Sequence, residues 1–420
     1  MALRVRRLIG SIIFLLLLSF VLIKTDALLE RKYSISKYHD FYAQEQDFEV
    51  LFLGTSHVIN AVYPMELWHD YGIVSYNLAN HSENICTNYW QLVNALEHTT
   101  PKVVVVDLYA IDGTSKVNEK YLHNFTDTIP SFLTKCRTVM DLLEPKDWGE
   151  YIFEISLYHG RWEELSREDF RPEISVEKGA EIATEVEINE PPVLVPKDEF
   201  DPTDRVNKRY LQRIIDLCKK NDIEVVLTYI PYSMPESHQP VANWGYYIAE
   251  KNDIPYINFV YEDFDLNYIT DCADIAHHLN ASGARKVTDY LGKFLFENYN
   301  ITDYRENDSY QFWHKDYDEY SDKKLEILDM QDHVWSYLMF LNDSNYKVNI
   351  YATKDSLIYG DSVIMELINN INYFGEVEFV ELSDEHYEGN FQVEVIDKET
   401  KEIVNYQKFT RTGENMYDTY

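Results

Sequence analysis

The stretch Phe48-Glu-Val-Leu-Phe-Leu-Gly-Thr-Ser-His57 decides the fold of this chain. Val50 to Leu53 is a short apolar run of strand-forming residues, and it ends at Gly54, which two small hydroxyl residues follow. A buried strand that ends in this way brings Ser56 to the carboxyl edge of a parallel sheet, where α/β proteins bind ligands. A serine at that edge can act as a nucleophile if a base reaches it, although Gly, Ser and Thr are also common turn and cap residues.

The candidate base lies far downstream, in Asp271-Cys-Ala-Asp-Ile-Ala-His-His-Leu-Asn280, which Ala-Ser-Gly283 follows. Asp274, His277 and His278 lie close together there, so one loop can supply both a base and the carboxylate that orients it. A solvated loop before a helix is the plain alternative. A metal site is a weaker one, because adjacent histidines point in different directions and no third cluster of ligands is evident. We therefore predict neither a metal nor a cofactor.

Further apolar strand patterns alternate with helical patterns along residues 63–298. The four valines of Lys102-Val-Val-Val-Val-Asp-Leu108 indicate burial on both faces, as parallel sheets require. Five strands in this rhythm predict a three-layer α/β/α sandwich with a five-stranded parallel sheet. We assign this domain to residues 28–300.

An insertion at about 114–205 interrupts the rhythm. Tyr151 to Phe170 is its best-ordered part, and His159-Gly-Arg-Trp162 within it reads equally as a glycan-binding patch or as a tethering turn. The acidic run from Glu177 to Glu190 meets Pro191 and Pro192, which predicts a solvated, mobile loop. Such insertions often form lids or substrate walls.

The N-terminus carries Arg4, Arg6 and Arg7 before an apolar run from Leu8 to Ile23. A run of this length fits the core of a signal peptide as well as an anchor. Because no good cleavage site follows, we predict an uncleaved anchor over residues 1–27. The basic flank stays in the cytoplasm, which places the rest of the chain on the extracytoplasmic side.

The character of the chain changes after residue 305. Lys323 to Leu341 has the pattern of one amphipathic helix, and Phe391 to Ile396 with Glu402 to Phe409 reads as a hairpin. Residues 305–420 therefore predict a small α+β accessory domain. Since it carries no catalytic pattern, we expect it to aid docking or partner binding and to be dispensable for chemistry.

Charge and cysteine content narrow the functional classes. The formal net charge of −34 argues against nucleic acid as a partner, because its phosphates would be repelled. The same charge argues against binding of anionic lipid through a cluster of basic residues. Four scattered cysteines, at 86, 136, 218 and 272, have neither the spacing of a zinc site nor the density of a disulfide scaffold. A single bridge among them stays open.

These motifs resemble the SGNH (GDSL-like) hydrolase superfamily over roughly residues 48–298. Within it the chain looks like the membrane-anchored bacterial branch related to D-alanyl-lipoteichoic acid transfer proteins and alginate O-acetylation proteins. The family's nucleophile follows the first strand in Gly-x-Ser, here Gly54-Thr-Ser56. Its base stands in Asp-x-x-His, here ending at His277, and commonly in His-x-Asn-x-x-Gly, here starting at His278. One histidine cannot satisfy both patterns, and we favour His278 because Asn280 and Gly283 tie it to the following helix.

The chain departs from the family at both oxyanion positions. Ser82 stands where the family usually has a Gly whose amide joins the oxyanion hole, and Ile111 stands where it usually has an Asn. Asn80 is the candidate substitute for that Asn. Losing one oxyanion donor typically costs ~100- to 1000-fold in rate.

The resemblance implies an extracytoplasmic, membrane-anchored O-acyl esterase or acyltransferase that acts on a cell-envelope glycan. Ser56 would be the nucleophile, His278 the base and Asp274 its orienting acid, with oxyanion donors at Ser56, Ser82 and Asn80. The partners would be the glycan or an acylated carrier, and an acyl-exporting membrane protein as donor. The alternative is a non-catalytic glycan-binding or assembly subunit that keeps the fold. Cleavage of a sugar–sugar bond is weaker, since no carboxylate pair stands out.

Overall fold

The computed structural model describes residues 2–29, 36–44, 46–153, 155–170, 174–275, 278–353, 356–382, 391–411 and 417–419. Up to the third strand, the elements are α1 (Ala2–Leu29), α2 (Ser36–Ala43), β1 (Val50–Leu53), α3 (Ser56–Ile59), α4 (Pro64–Tyr71), β2 (Ser75–Asn77), α5 (Ile85–Ala95) and β3 (Val103–Asp107). The insertion holds α6 (Glu119–Thr126), α7 (Phe132–Leu142), α8 (Trp148–Ile152), α9 (Ile155–Tyr158), a 3-10 helix (His159–Glu163) and α10 (Arg167–Phe170).

The alternation of helices and strands then resumes. It consists of α11 (Val206–Lys220), β4 (Glu224–Tyr229), α12 (Gln239–Asn252), β5 (Tyr256–Asn258) and α13 (Ala281–Asn298). The C-terminal part holds α14 (Gln311–Asp329), α15 (Val334–Phe340), β6 (Tyr346–Ala352), α16 (Ser362–Ile371), β7 (Glu376–Glu381), β8 (Phe391–Asp397), β9 (Ile403–Arg411) and β10 (Tyr417–Thr419), with 3-10 turns at Asp308–Tyr310 and Leu357–Tyr359.

The first five strands form one parallel sheet in the order β2-β1-β3-β4-β5. The order reverses between β1 and β3, since the chain leaves β1 towards β2 on one side and returns to β3 on the other. In open α/β sheets the crevice for ligands forms at such a reversal, outside the carboxyl ends of the strands. The sheet therefore puts the chain that follows β1 and the chain that follows β3 beside a ready-made crevice.

Helices cover both faces of this sheet, which confirms the three-layer α/β/α class. Val50 and Phe52 of β1 face one hydrophobic core, which α4 and α13 close. Leu51 and Leu53 face the other core, to which α5, α11 and α12 contribute. Successive side chains of a strand point to opposite faces, so an uninterrupted apolar run is what a strand between two helix layers needs.

The C-terminal part forms a second, mixed sheet in the order β10-β9-β8-β6-β7. Strands β6 and β7 are parallel, and the other pairs are antiparallel. Alternate residues of β6 and β8 are buried against α15 and α16, as expected of a sheet with one covered face. By contrast, α14 places Trp313 and Tyr320 in the core of the first sheet.

The single helix predicted over Lys323 to Leu341 is wrong. Helix α14 ends at Asp329, and α15 begins at Val334 after His333, whose side chain caps it by accepting a hydrogen bond from Trp335 N at 3.3 Å. Both halves keep apolar residues at helical spacing, so the pattern runs across the break. Periodicity reports the buried face of each helix and not the turn between them.

Residues 177–190, which we call the strap, are exposed at Glu181, Glu185, Glu187, Ile188 and Glu190, as expected of a solvated segment, but their backbone has fixed partners. They cross the carboxyl edge of the first sheet and are held by backbone hydrogen bonds: Asn77 N to Lys178 O (3.0 Å), Glu181 N to Ile59 O (3.1 Å), Ala281 N to Ala183 O (2.9 Å) and Glu187 N to Cys272 O (2.9 Å). Lys178 is buried and pairs with Asp316 of α14. These partners are distant in sequence, and composition does not reveal them.

Helix α1 contains a stretch, Arg4–Asp26, that is long and apolar enough to cross a membrane. Its length and composition fit a signal sequence equally well. Most of its side chains are exposed, but its C-terminal end packs against α9, the following 3-10 helix and α10. Arg161 of that 3-10 helix donates to the carbonyl of Leu29 at 2.6 Å, which fixes the end of α1 to the insertion.

Candidate active site

Ser56 is the first residue of the short helix α3, directly after β1. Thr55 caps this helix by accepting a hydrogen bond from the amide of His57 at 3.3 Å. A Cβ atom on Gly54 would lie 2.4 Å from Val58 Cγ2 and 3.0 Å from Asp107 Cβ, so the chain turns here only because residue 54 has no side chain. The strand, the glycine and the cap together hold the Ser56 hydroxyl at the edge of the sheet.

The structure brings Ser56, His278 and Asp274 together in a chain of hydrogen bonds. His278 Nε2 lies 2.8 Å from Ser56 Oγ, and His278 Nδ1 lies 2.6 Å from Asp274 Oδ2. Asp274 also accepts a bond from the backbone amide of His278, at 2.9 Å through Oδ1. The Asp274 carboxylate therefore accepts hydrogen bonds from both the ring and the backbone amide of His278, which lies four residues later in the chain. The alternative base, His277, lies outside the described residues.

The loop that carries these residues is fixed at its base by the residues before and at the start of α13. Cys272 and Leu279 form a bridge, and Ala273 N donates to His278 O at 2.9 Å. Asn280 caps α13, and its Nδ2 donates to the carbonyls of Thr270 (2.8 Å), Cys272 (3.1 Å) and Glu185 in the strap (3.2 Å). A Cβ on Gly283 would lie 2.4 Å from the carbonyl of Asp271. Asn280 and Gly283 thus have clear positioning roles.

Asp271, at the start of the same loop, connects it to the C-terminal part of the chain. It is fully buried and accepts hydrogen bonds from Ser282 Oγ, Lys286 Nζ and Asn370 Nδ2, each at 2.8 Å. Asn370 lies on α16, outside the first sheet domain. The placement of the Asp274–His278 loop therefore depends on residues that are far apart in sequence.

Ser56 and His278 open into a cavity of about 510 Å³ at the reversal of strand order. This volume is in the range of small-molecule sites. The cavity is lined by Thr55, Ser56, His57, Ser82, Glu83, Asn84, Tyr109, Ala110, Asp112, Gly113, Tyr229, Tyr232, His238, Val241 and His278.

The oxyanion candidates fall in different places. Ser82 lines the cavity with Ser56 and has a positive φ of 51°, a conformation that glycine adopts most readily. Asn80 instead lines a second cavity, with Lys37 and His81. Ile111 is fully buried in the core. The sequence did not point to Asn84. This residue lines the first cavity beside Ser82, and its side chain offers a further carboxamide as an oxyanion donor.

Aromatic residues form one wall of the cavity and were likewise not predicted as site residues. Tyr109 stacks on His57 with ring centroids 3.7 Å apart, and Tyr232 meets the same ring edge-on at 5.4 Å. His57 in turn lies 5.1 Å from the ring of His278. Tyr109 follows the end of β3 and Tyr232 follows the end of β4, so their positions after strand ends were the available signal.

Two buried carboxyl groups lie beside the cavity. Burial raises the pKa of Asp107 to about 7, although its oxygens accept bonds from the amides of Tyr109 (3.0 Å) and Ile230 (2.9 Å). Burial also raises the pKa of Glu83 to about 8, and it lowers the pKa of nearby Lys37 to about 8. Asp107 ties the ends of β3 and β4 together, which positions the two tyrosine-bearing turns.

Within the part of the chain that the structure describes, no group of three or more His, Cys, Asp and Glu side chains is arranged to hold a metal ion. Cys86, Cys136, Cys218 and Cys272 are all described, and none is joined to another. What the arrangement offers chemically is a hydroxyl next to an imidazole that a carboxylate orients. This is the constellation used for nucleophilic acyl chemistry.

Comparisons with known proteins give only distant similarities. No known family profile matches the chain, and no curated protein matches it. A solved structure from Desulfitobacterium hafniense DCB-2, named as a lipolytic protein of the G-D-S-L family, is 12% identical, with 59% of this chain and 99% of that chain covered and a TM-score of 0.33. One named as an acylhydrolase, from Bacteroides fragilis NCTC 9343, is 10% identical, with 64% and 99% covered and a TM-score of 0.31.

The low TM-scores of these two structures show no more than a distant likeness to this chain. Its parallel sheet has the order β2-β1-β3-β4-β5, with Ser56 directly after the first strand. His278 stands just before the last helix of the same domain. On these features the chain has a three-layer α/β/α fold with a five-stranded parallel sheet, and Ser56 and His278 meet at the carboxyl edge of that sheet.

Proposed function

We propose that this protein is a serine esterase or O-acyltransferase that is anchored in the cell membrane and acts on a cell-envelope glycan outside it. The observation that carries the proposal is the hydrogen-bonded series from Ser56 Oγ through the ring of His278 to Asp274, at 2.8 and 2.6 Å. A weakly acidic hydroxyl needs a base within such a distance, and the base needs an orienting partner.

In the proposed reaction the Ser56 oxygen attacks the carbonyl carbon of an acyl ester while His278 Nε2 takes the hydroxyl proton. Asp274 holds the other ring nitrogen and stabilises the imidazolium. The resulting oxyanion is met by the amides of Ser56 and Ser82, with Asn84 as the candidate side-chain donor. His278 then protonates the departing alcohol, which leaves an acyl-Ser56. Water or a sugar hydroxyl, deprotonated by His278, attacks this ester and releases Ser56.

The walls of the cavity support a polar, ring-shaped substrate. Tyr109 and Tyr232 offer aromatic faces, while Asp112 and Glu83 offer carboxyl groups that can bind hydroxyls. An acylated carrier and a glycan are both compatible with these walls. The resemblance in sequence supports a membrane protein that exports the acyl group as the donor partner.

Labelling with a fluorophosphonate probe tests the enzyme proposal directly. The full chain in detergent should be labelled, and labelling should disappear in Ser56→Ala, because the probe reacts only with an activated serine. Ser309→Ala is the matched control, since it removes an exposed serine hydroxyl that does not line the cavity. Folded wild-type protein that takes up no label would contradict the proposal.

The rival proposal is a non-catalytic glycan-binding or assembly subunit. It is favoured by Ile111, because the isoleucine side chain has no hydrogen-bond donor to take the place of the family's Asn. Such a protein would bind an envelope glycan in the cavity but leave the fluorophosphonate unreacted. Glycan binding measured by calorimetry on a preparation that takes up no fluorophosphonate would therefore favour this rival, whereas labelling of the same preparation favours the enzyme.

A further inference from the structure

A group of large apolar side chains is exposed on the insertion. It consists of Phe132, Leu133, Phe153, Leu157, Trp162 and Phe170, and we call it the anchor-side patch. Their exposed fractions run from 42% for Leu157 to 76% for Leu133. Single exposed apolar residues are normal, but a group of this size usually marks an interaction surface.

The anchor-side patch surrounds the place where α1 joins the rest of the protein. Leu157, Trp162 and Phe170 lie on the three short helices that pack against the C-terminal end of α1. Phe153 follows α8, and its ring lies 6.3 Å from that of Phe132 at the start of α7. Three residues of the patch therefore lie on helices that contact the end of the apolar helix.

The local contacts hold this geometry rigid. Arg161, between the patch residues Leu157 and Phe170, is buried and donates both to Leu29 O at 2.6 Å and to Asp169 at 2.7 Å. Because the Arg161 guanidinium makes both of these hydrogen bonds, it fixes the end of α1 to the insertion. If α1 crosses a bilayer, the helices that carry Leu157, Trp162 and Phe170 then lie near the surface of that bilayer.

We propose that the anchor-side patch inserts into the interfacial layer of the membrane that α1 spans, with phospholipid as its partner. Tryptophan and phenylalanine favour this layer, where an apolar ring meets a polar boundary. A net charge of −34 removes electrostatic attraction to anionic lipid as a means of binding, so apolar insertion is the contribution the surface can make. The inference rests on the anchor in the proposed function and adds a second contact, which sets how the catalytic domain lies on the membrane.

Trp162 supplies the probe for a test on the full chain. The protein has seven tryptophans, and α1 contains none of them, so insertion of α1 alone produces no signal. Wild type, Trp162→Tyr, and Trp162→Tyr with Tyr359→Trp are reconstituted into phosphatidylcholine vesicles with and without brominated acyl chains. Tyr359 is a matched control, because it is 51% exposed but lies on the C-terminal unit.

The emission of Trp162 is the difference between the emission of wild type and that of Trp162→Tyr. We expect brominated lipid to lower this emission about twofold, as for a residue at interfacial depth. The emission added by Tyr359→Trp should fall by a clearly smaller fraction. Equal quenching at the two positions would overturn the patch proposal. Absence of quenching at Trp162 would overturn it too, and this is the result expected if a protein partner covers the patch. Flotation of the same vesicles after an alkaline wash reports on α1 separately. Protein that floats with Trp162 unquenched defeats the patch alone, whereas protein that does not float defeats both anchor and patch.

Discussion

At the scale of single residues, the choice between two adjacent histidines decides the chemistry. His278 already makes both contacts that a base needs, with Ser56 and with Asp274. We expect His278→Ala to abolish ester turnover about as fully as Ser56→Ala, since members of a triad act as a unit. His277→Ala should keep most of the activity. The measurement is hydrolysis of one activated ester by all three variants, each shown to be folded. Dead His277→Ala beside live His278→Ala would mean that the other pattern is the correct one.

A second prediction at this scale concerns Glu83 and pH. The folded protein holds the Glu83 proton up to a pKa of about 8, whereas the unfolded chain releases it near the ordinary value of 4.5. Between these values the folded state binds more protons, so the free energy of unfolding falls as pH rises, by at most about 1.4 kcal/mol per pH unit for this group.

The comparison variant is Glu83→Gln, which keeps the shape of the side chain but cannot ionise. The unfolding midpoint of wild type should fall more steeply between pH 5 and 8 than that of Glu83→Gln. Asp107, whose pKa is raised to about 7, adds the same downward trend to both proteins and does not affect the difference. The lowered pKa of Lys37 acts with the opposite sign only above about 8. Parallel curves would show that Glu83 is not buried in its protonated form.

At the scale of elements, α1 carries a prediction about processing. We expect the N-terminal helix to stay on the mature protein, because the sequence after Ile23 offers no good cleavage site and the structure ties Leu29 to Arg161. Mass spectrometry of protein purified from its native membrane should find residues of α1. A mature N-terminus near residue 28, with the protein free in the medium, would contradict the anchor.

At the scale of the whole molecule, the contacts between the part after residue 305 and the rest of the chain carry a prediction. The part after residue 305 supplies Trp313 and Tyr320 to the first core, and Lys324 pairs with the buried Glu66 at 2.7 Å. Asn370 contacts Asp271 at the base of the His278 loop. Removing one partner of a buried ion pair typically costs about 3–5 kcal/mol. The C-terminal part is therefore joined to the catalytic domain by buried polar and apolar contacts.

We accordingly predict that a chain ending near residue 300 is unfolded and takes up no fluorophosphonate. Asn370→Ala in the full chain is a milder variant, since it removes the bonds to Asp271 and Ser282 at 2.8 Å each. Its unfolding free energy should drop by roughly 1–3 kcal/mol, the cost of leaving buried polar groups unpaired. Circular dichroism and probe labelling measure both effects. A truncated protein that is folded and reactive would restore the original expectation of a dispensable accessory domain.

The sequence by itself determined the features that depend on local order along the chain. Strand β1, the glycine that ends it and the position of Ser56 are readable because an apolar run buried on both faces and a side-chain-free turn leave a local pattern. The loop with Asp274 and His278 is readable for the same reason, since the two residues lie within four positions of each other and the cap at Asn280 follows directly.

Only the tertiary structure decided the features that join distant segments. Tyr109, Glu83 and Tyr232 line one cavity because three strand ends meet at the reversal of strand order. The backbone of the strap has hydrogen-bond partners as far away in sequence as Ile59, which pairs with Glu181, and composition does not report such partners. The break between α14 and α15 and the buried contacts of Asn370 are long-range in the same sense. Hydrophobic periodicity is a property of one segment, whereas a site at a sheet edge is a property of the segments that the fold brings together.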